Sequence, residues 1–372
     1  MEEKNRIALR VVFITREGYS LPGARYRAYQ FAKALKSENI QAEVISYADH
    51  LGGKEGEKER EMDTCERIRL NWKAYRLLKN YPSHTVIILQ RVHYHWWGPF
   101  LLHLSKKFPL IIDMDDWEFK ENLKKFGPLS NSRAEMLTRF LLRHSKGISV
   151  ASHFLYNFFS SYNPFYLPSA VDTEIFTPSP YHNKEKILLS WVGTLHRKDN
   201  LENIEFLLRV FRKIRKSYPK VSLELAGSGY YEDTVKKITE GEKGVKFLGW
   251  IEPDKMPEYL SSIDIGLLPL IQKIKFNLAK SPVKLFEYFA CGKPVVASPI
   301  GEVKYFVKDG FNGFLARNEE EFTAKLEKLI ISFTLRRNMG KKAREMAEEK
   351  LSLEFWGKEF IEWLLSETLR ID

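Results

Sequence analysis

The chain is short of several things, and each shortage excludes something. Of 372 residues only Cys65 and Cys291 are cysteines, too few for a disulfide framework or a four-cysteine zinc site, so a reducing compartment is expected. No run of 18 apolar residues occurs, so no segment reads as a membrane-spanning helix. The opening Met1-Glu2-Glu3-Lys4-Asn5-Arg6 is charged and runs straight into a strand-like segment, unlike a secretory leader. A cytoplasmic location is the expectation. Neither a Walker loop nor a Gly-x-Gly-x-x-Gly is present, which speaks against P-loop hydrolysis and ordinary dinucleotide oxidoreduction. Glutamine occurs only four times in a chain that is 29% charged, a bias of heat-adapted proteins.

What is present suffices for two cores. Apolar residues make up 44% and aromatics 13%, and the length suits two domains of ~150 residues. The net charge is +11, unevenly spread. Residues 1–170 hold 26 Lys and Arg against 18 Asp and Glu, a balance of +8; residues 171–372 hold 33 against 30, or +3. A basic half concentrates anionic partners near it, although a solubilising surface has the same composition. No nucleic-acid module is visible, and nucleic acid is not an expected partner.

Short β-branched runs alternate with helical periodicity. Ile7–Ile14, Gln41–Tyr47, Val86–Leu89 and Pro109–Asp113 read as buried strands, with helices between them. Residues 51–63 read as an exposed Gly-, Glu- and Lys-rich stretch. Pro164, Pro168, Pro178 and Pro180 then punctuate a linker. The alternation restarts at Ile187–Gly193 and continues through 222–227, 245–249, 263–268 and 294–298, and a helical tail runs from Glu319 to Ile371. The expected fold class is α/β, with two parallel sheets wrapped by helices.

In such sheets ligands lie beyond the carboxyl ends of the strands. The segment Lys280-Ser281-Pro282-Val283-Lys284-Leu285-Phe286-Glu287 leads into a helix that Gly292 would end. With Ser281 as cap, its free N–H groups and Lys280 and Lys284 suit a phosphate, and Glu287 suits ribose hydroxyls. The Lys284–Glu287 spacing equally suits an exposed ion pair one turn apart. Asp113, Asp115 and Asp116 end a strand, where close carboxylates require a cation, a nest of donors or an arginine. His93-Tyr94-His95-Trp96-Trp97 is unsuited to a helical metal site, since histidines at i,i+2 do not share a face. Its tryptophans, and the apolar and basic Leu137–Lys146, suit either a core-facing helix or a lipid interface.

Several motifs together resemble the donor half of retaining glycosyltransferases of GT-B fold, family 4. They are Ala290-Cys291-Gly292-Lys293-Pro294-Val295-Val296-Ala297-Ser298, Gly301-Glu302, Asp309-Gly310-Phe311-Asn312-Gly313-Phe314-Leu315, and Pro168–Pro178, with Val245–Trp250 and Asp264–Pro269 in matching order. The resemblance covers about residues 165–350. It implies two Rossmann-like domains facing across a cleft, residues 1–168 on the acceptor side and 169–354 on the donor side, with a final helix at about 355–372 returning to the first.

The resemblance also implies roles. Glu287 would hold the ribose; Gly193, Arg197, Lys280, Ser281, Pro282 and Val283 would surround diphosphate and sugar; Trp250 and Ile251 would border the base. Lys198 and Lys284 would neutralise the departing diphosphate, and Asp115 or Asp116 would bind the acceptor hydroxyl. Gly23, Arg25 and Arg27, in the first glycine-containing loop, would meet phosphate or acceptor. Where the family often carries a first sugar-contacting glutamate this chain has Ala279, and where it carries arginine after the glycine it has Thr194. The expectation is a retaining transferase that uses a UDP- or GDP-sugar and a glycan or lipid-linked acceptor in cell-surface glycan synthesis. It would need no cofactor or metal and would work at the inner face of the membrane. An epimerase or hydrolase of the same fold, or a silent nucleotide-sugar-binding subunit, are the alternatives.

Overall fold

The computed structural model describes residues 9–53, 64–92, 95–106, 108–117, 119, 129–180 and 186–368. His93, Tyr94, most of the stretch 51–63 and the last residues of the helical tail lie outside them. The chain forms two compact units. One takes the chain as far as Ala170, with Ala279–Ser281 and the segment from Leu353; the other comprises Val171–Leu278 and Pro282–Ser352. Their boundaries fall at 170/171 and 352/353, against the expected 168/169 and 354/355, and the short return at 279–281 had no counterpart in the sequence reading.

In the first unit six parallel strands, β1 (Arg10–Thr15), β2 (Gln41–Ser46), β3 (Val86–Gln90), β4 (Leu110–Met114), β5 (Gly147–Val150) and β6 (Phe165–Tyr166), lie in the order β2-β1-β3-β4-β5-β6. Helix α1 begins as Pro22–Ala24, passes through a π-helical Arg25–Tyr29 and continues as Gln30–Ser37. Then come α2 (Thr64–Leu78), α3 (Trp97–Lys106), α4 (Leu129–His144) and α5 (His153–Phe158). Period-2 alternation sends the strand side chains to two cores. Val12, Ile14, Ile87, Leu89 and Ile112 pack with Leu70, Ala74, Phe100, Leu102 and Leu141 of α2, α3 and α4. Val11, Phe13, Ile88 and Ile111 face the other way, onto Phe31 and Leu35 of α1. Burial on both faces is why these strands read as uninterrupted apolar runs.

The second unit contains β7 (Ile187–Val192), β8 (Val221–Ala226), β9 (Val245–Gly249), β10 (Ile265–Leu268), β11 (Val295–Ala297) and β12 (Phe314–Leu315), ordered β12-β11-β10-β7-β8-β9 and all parallel. Relabelled from its own first strand, this is the Rossmann order 6-5-4-1-2-3. Its helices are α6 (Lys198–Ser217), α7 (Glu232–Thr239), α8 (Met256–Ser262), α9 (Lys275–Ala279), α10 (Val283–Ala290), α11 (Val303–Phe306), α12 (Glu319–Ile331) and α13 (Phe333–Lys350). Helix α14 (Leu353–Thr368) closes the chain in the first unit. There Phe360 meets Phe13 and Phe31, and Trp363 stacks on Phe165 with ring centres 4.8 Å apart.

Candidate functional site

Each sheet has a switch point where neighbouring strands are followed by chain running to opposite sides, and in open α/β sheets ligands lie at the carboxyl ends of those strands. In the second unit the switch lies between β7 and β10. Three strand-end loops are laced together there: Gly193 N–H donates to Ala226 O, Leu195 N–H to Ser228 O, and Gly227 N–H to Gly249 O. Gly227, at φ 152°, is required by this lacing, since a Cβ there would lie 1.7 Å from Gly193 O.

Gly193 and Lys284 meet at that switch point. The Lys284 ammonium lies 4.5 Å from the ring centre of Trp191, and a Cβ on Gly193 would lie 2.1 Å from its Nζ and 2.9 Å from the indole. Cation–π attraction to a buried tryptophan thus holds the ammonium at the end of β7. Lys284 is the second residue of α10, and Glu287, buried, follows one turn later. The helix differs from the expected cap. It starts at Val283 with Pro282 in the N-cap position, where proline has no cap side chain, while Ser281 Oγ accepts the N–H of Ser169. Gly292, at φ 66°, follows the last turn as expected. Lys280 and Ser281 belong to the first unit, and Pro282 onward to the second.

The two cations at the start of α6 are placed differently from Lys284. Arg197 donates from Nε to Asp199 (2.8 Å), and its guanidinium lies 3.9 Å from the Phe276 ring centre. Lys198 extends from α6 with its side chain 77% exposed, 3.6 Å from Glu202. Of the four cations expected around the diphosphate, Arg197, Lys198, Lys280 and Lys284, the last is the one packed against Gly193. Trp250 and Ile251 follow β9 and are half-buried. Burial pushes the Cys291 thiol up to about 12, which removes it as a nucleophile.

In the first unit the switch lies between β1 and β3, and buried ion pairs fill it. Arg91 donates to both oxygens of Asp115 (2.6 and 2.9 Å) and lies 3.4 Å from Glu17. Gln90 Nε2 donates to Asp115 and to Gly23 O, tying the start of α1 to the end of β3. Arg27 grips Asp113, which also accepts the Ser149 hydroxyl (2.6 Å). Burial disfavours charge on Asp115, but the Arg91 guanidinium outweighs it and holds the carboxyl below its ordinary value. Thr15, Arg16, Glu17, Gln90, Arg91 and His95 line a small pocket here.

This geometry corrects three expectations. Arg27 is 2% exposed and committed to Asp113, so it does not face a phosphate. Asp115 has both oxygens engaged, so it organises the loop instead of receiving an acceptor hydroxyl. Arg25 donates to the carbonyls of Tyr19 and Ser20, a loop brace. Asp116 is half-buried and accepts the Trp117 N–H through one oxygen. Gly23 lies beside the side-chain ends of Glu17 and Arg91, 2.7 and 2.9 Å from where a Cβ would stand. Sequence reasoning missed Arg91, Gln90 and Glu17. The signal was there: two polar residues, Gln90 and Arg91, abruptly end an apolar strand at its carboxyl edge.

Residues 186–332 match the family described as Glycosyl transferases group 1. A GDP-mannose-dependent monoacylated alpha-(1-6)-phosphatidylinositol monomannoside mannosyltransferase of Corynebacterium glutamicum is 27% identical over 216 residues, 54% of this chain and 56% of that protein. An uncharacterized glycosyltransferase of Haemophilus influenzae is 30% identical over 172 residues, 45% of each chain. The chain thus spans about half the length of the curated relatives it matches. Among solved structures, Anabaena HepE in complex with UDP superposes with TM-score 0.68 at 16% identity, covering 96% of this chain and 100% of that one. The pneumococcal O-GlcNAc transferase GtfA with UDP and GlcNAc gives 0.73 at 11%, covering 97% and 99%. The chain has the GT-B fold, and residues 186–332 are similar to the glycosyl transferases group 1 family.

Proposed function

We propose that the protein is a retaining glycosyltransferase that moves a sugar from a UDP- or GDP-sugar to a glycan or lipid-linked acceptor, in cell-surface glycan synthesis at the inner face of the membrane. The observation that carries this reading is Lys284 fixed over Gly193 at the β7–β10 switch, with Glu287 one turn along the same helix. A cation beside strand-end and helix-end N–H groups suits a diphosphate, and a carboxylate behind it suits ribose hydroxyls. Both nucleotides are proposed because the solved neighbours hold UDP and the Corynebacterium relative is GDP-mannose-dependent.

The hard part of the reaction is the charge left on the departing diphosphate. Lys284, with the α10 N–H groups and Lys198, would stabilise it as the glycosidic bond breaks. The acceptor oxygen attacks from the same face, its proton passing to the leaving phosphate, with Asp116 orienting the hydroxyl. The protein's own groups neutralise the diphosphate, and no metal is needed.

A screen of nucleoside diphosphates by thermal shift, followed by product analysis with labelled donor, tests the reading. A stabilising nucleotide and a product formed only with acceptor support it. Release of free sugar or an epimer without acceptor would replace it with the hydrolase or epimerase. The silent-subunit reading keeps one observation of its own: Ala279, where the family often has glutamate, is fully buried in the first unit's core. It predicts nucleotide binding with no turnover at all.

A further inference from the structure

Helices α2, α3 and α4 follow β2, β3 and β4, and all three pack on one face of the first sheet. They form a continuous layer. Asn71 of α2 accepts the Gly98 N–H of α3, where a Cβ would lie 2.5 Å from Asn71 O. Phe100 of α3 meets Phe140 and His144 of α4 with ring centres 5.5 and 5.8 Å away. The outer side of this layer is unusual for a soluble surface. Ile68, Trp72, Leu77, Leu101, Leu104, Met136 and Phe140 are exposed there, seven of the fifteen large apolar side chains exposed among the described residues. Trp72 is 45% exposed and Met136 68%.

The charge on the same layer has one sign. The three helices hold eight Lys and Arg against Glu66 and Glu135, a balance of +6, which is most of the +8 carried by residues 1–170. Arg69, Lys73, Arg76 and Arg143 are exposed between the apolar side chains, while both glutamates are half-buried. Glu66 lies 3.8 Å from Arg69, and Glu135 is hydrogen-bonded to Arg139. Both carboxylates described on these helices are thus paired with arginine; the Glu66 side chain is largely covered and that of Glu135 is 42% exposed. Exposed apolar groups elsewhere have a different setting: on the second unit Phe311 lies near Lys308, Lys342 and Asp309 in a loop.

We propose that the outer face of the α2–α3–α4 layer docks onto an anionic lipid bilayer. Interleaved large apolar and basic side chains, with a tryptophan and with both described carboxylates paired to arginine, match the headgroup boundary: rings and aliphatic chains enter the acyl edge and cations meet lipid phosphates. A protein partner of ordinary composition would leave this cationic field unmatched unless it were strongly acidic. The inference rests on the reading of a membrane-presented acceptor and gives it a location. Arg139 lies over Phe158 and is hydrogen-bonded to Glu135, so the exposed Arg69, Arg76 and Arg143 are the lipid-facing arginines.

The test is co-sedimentation of the full chain with vesicles of phosphatidylglycerol and phosphatidylcholine, and of phosphatidylcholine alone, at low and high salt. Binding should require the anionic lipid and weaken with salt. Replacing Arg69, Arg76 and Arg143 together by Gln should lower affinity roughly a hundredfold. Trp72→Ala with Phe140→Ala should weaken binding at every salt concentration. A control with Lys304, Lys308 and Lys342 replaced by Gln removes the same charge from the other unit and should change little. A polarity-sensitive dye on Cys65, exposed on α2, should report an apolar environment only with anionic vesicles; Cys291 is buried. Absence of vesicle binding, or equal loss in the control, overturns the proposal. So does self-association in the ultracentrifuge that Trp72→Ala with Phe140→Ala abolishes, since a second copy would then own the face. Nucleotide affinity measured on the same proteins keeps the two readings apart: vesicle binding without nucleotide binding sinks the transferase and leaves the surface standing.

Discussion

A carboxylate taken out of water must be protonated, hydrogen-bonded or paired, and Asp113 and Asp115 take the last course, each with its own arginine. Arg91 adopts φ 61°, a left-handed conformation that costs a side-chain-bearing residue about 1–3 kcal/mol, and the bidentate grip on Asp115 holds it there. Asp115→Asn should therefore destabilise the protein by about 1–3 kcal/mol at neutral pH, because the largely covered Arg91 guanidinium loses its bidentate partner and keeps Glu17, 3.4 Å away. The sign of the pH dependence follows from the lowered carboxyl. Its contribution is complete above the unfolded value of ~3.9 and is lost as pH falls through the lower folded value. The gap between wild type and variant should thus close in acid, as denaturant titrations across pH will show. At Gly193 the expected effect is on binding. Gly193→Ala would push its Cβ against Lys284 Nζ and the indole, so nucleotide affinity should fall by about 1–3 kcal/mol. Glu287→Ala should cost about the same through lost ribose hydrogen bonds. Calorimetry on the two variants reads both; unchanged affinity in either removes that residue from the site.

Elements were far more legible in the sequence than the links between them. The strands stand out because burial on both faces leaves uninterrupted apolar runs, as in Val86–Leu89 and Ile187–Val192. The helix of Lys284 and Glu287 was visible because glycine and proline punctuate its ends. What could not be read depends on distant partners: the π-helical turn at Arg25–Tyr29, the left-handed Arg91, and Ser281 turned toward Ser169 instead of capping α10. No local pattern announces a contact made 112 residues away. Helix α14 shows how such a contact can dictate one residue. Gly357 lets it approach α1 closely, for a Cβ there would lie 2.8 Å from that of Ala34. Gly357→Val should cost about 1–3 kcal/mol by overpacking, although valine at a fully open helix site would change little. Urea denaturation of the two proteins measures the difference.

At the scale of the whole molecule, chain order and unit membership diverge. The first unit is built from both ends of the chain, since α14 covers the face of α1 and β1 where Phe13, Phe31 and Phe360 meet. The second is nearly continuous, with its own Rossmann-ordered sheet and its own cores around Trp191, Leu225 and Phe322 and around Phe286 and Tyr288. The consequence is an asymmetry between fragments. Residues 1–170 alone would leave Phe31 and Phe165 without the helix that covers them, and that fragment should be insoluble or molten. Residues 171–352 alone retain every strand of the second sheet, together with Gly193, Lys284 and Glu287. A unit of that size, with its cores intact, can fold independently. It should unfold cooperatively and bind a nucleoside diphosphate within about tenfold of the full chain, or ~1.4 kcal/mol. Because α2, α3 and α4 are absent, it should also ignore anionic vesicles. Calorimetry and co-sedimentation on this one fragment decide both points: failure to bind nucleotide while folded would mean that the second unit does not hold the donor by itself, and vesicle binding would move the lipid surface out of the first unit.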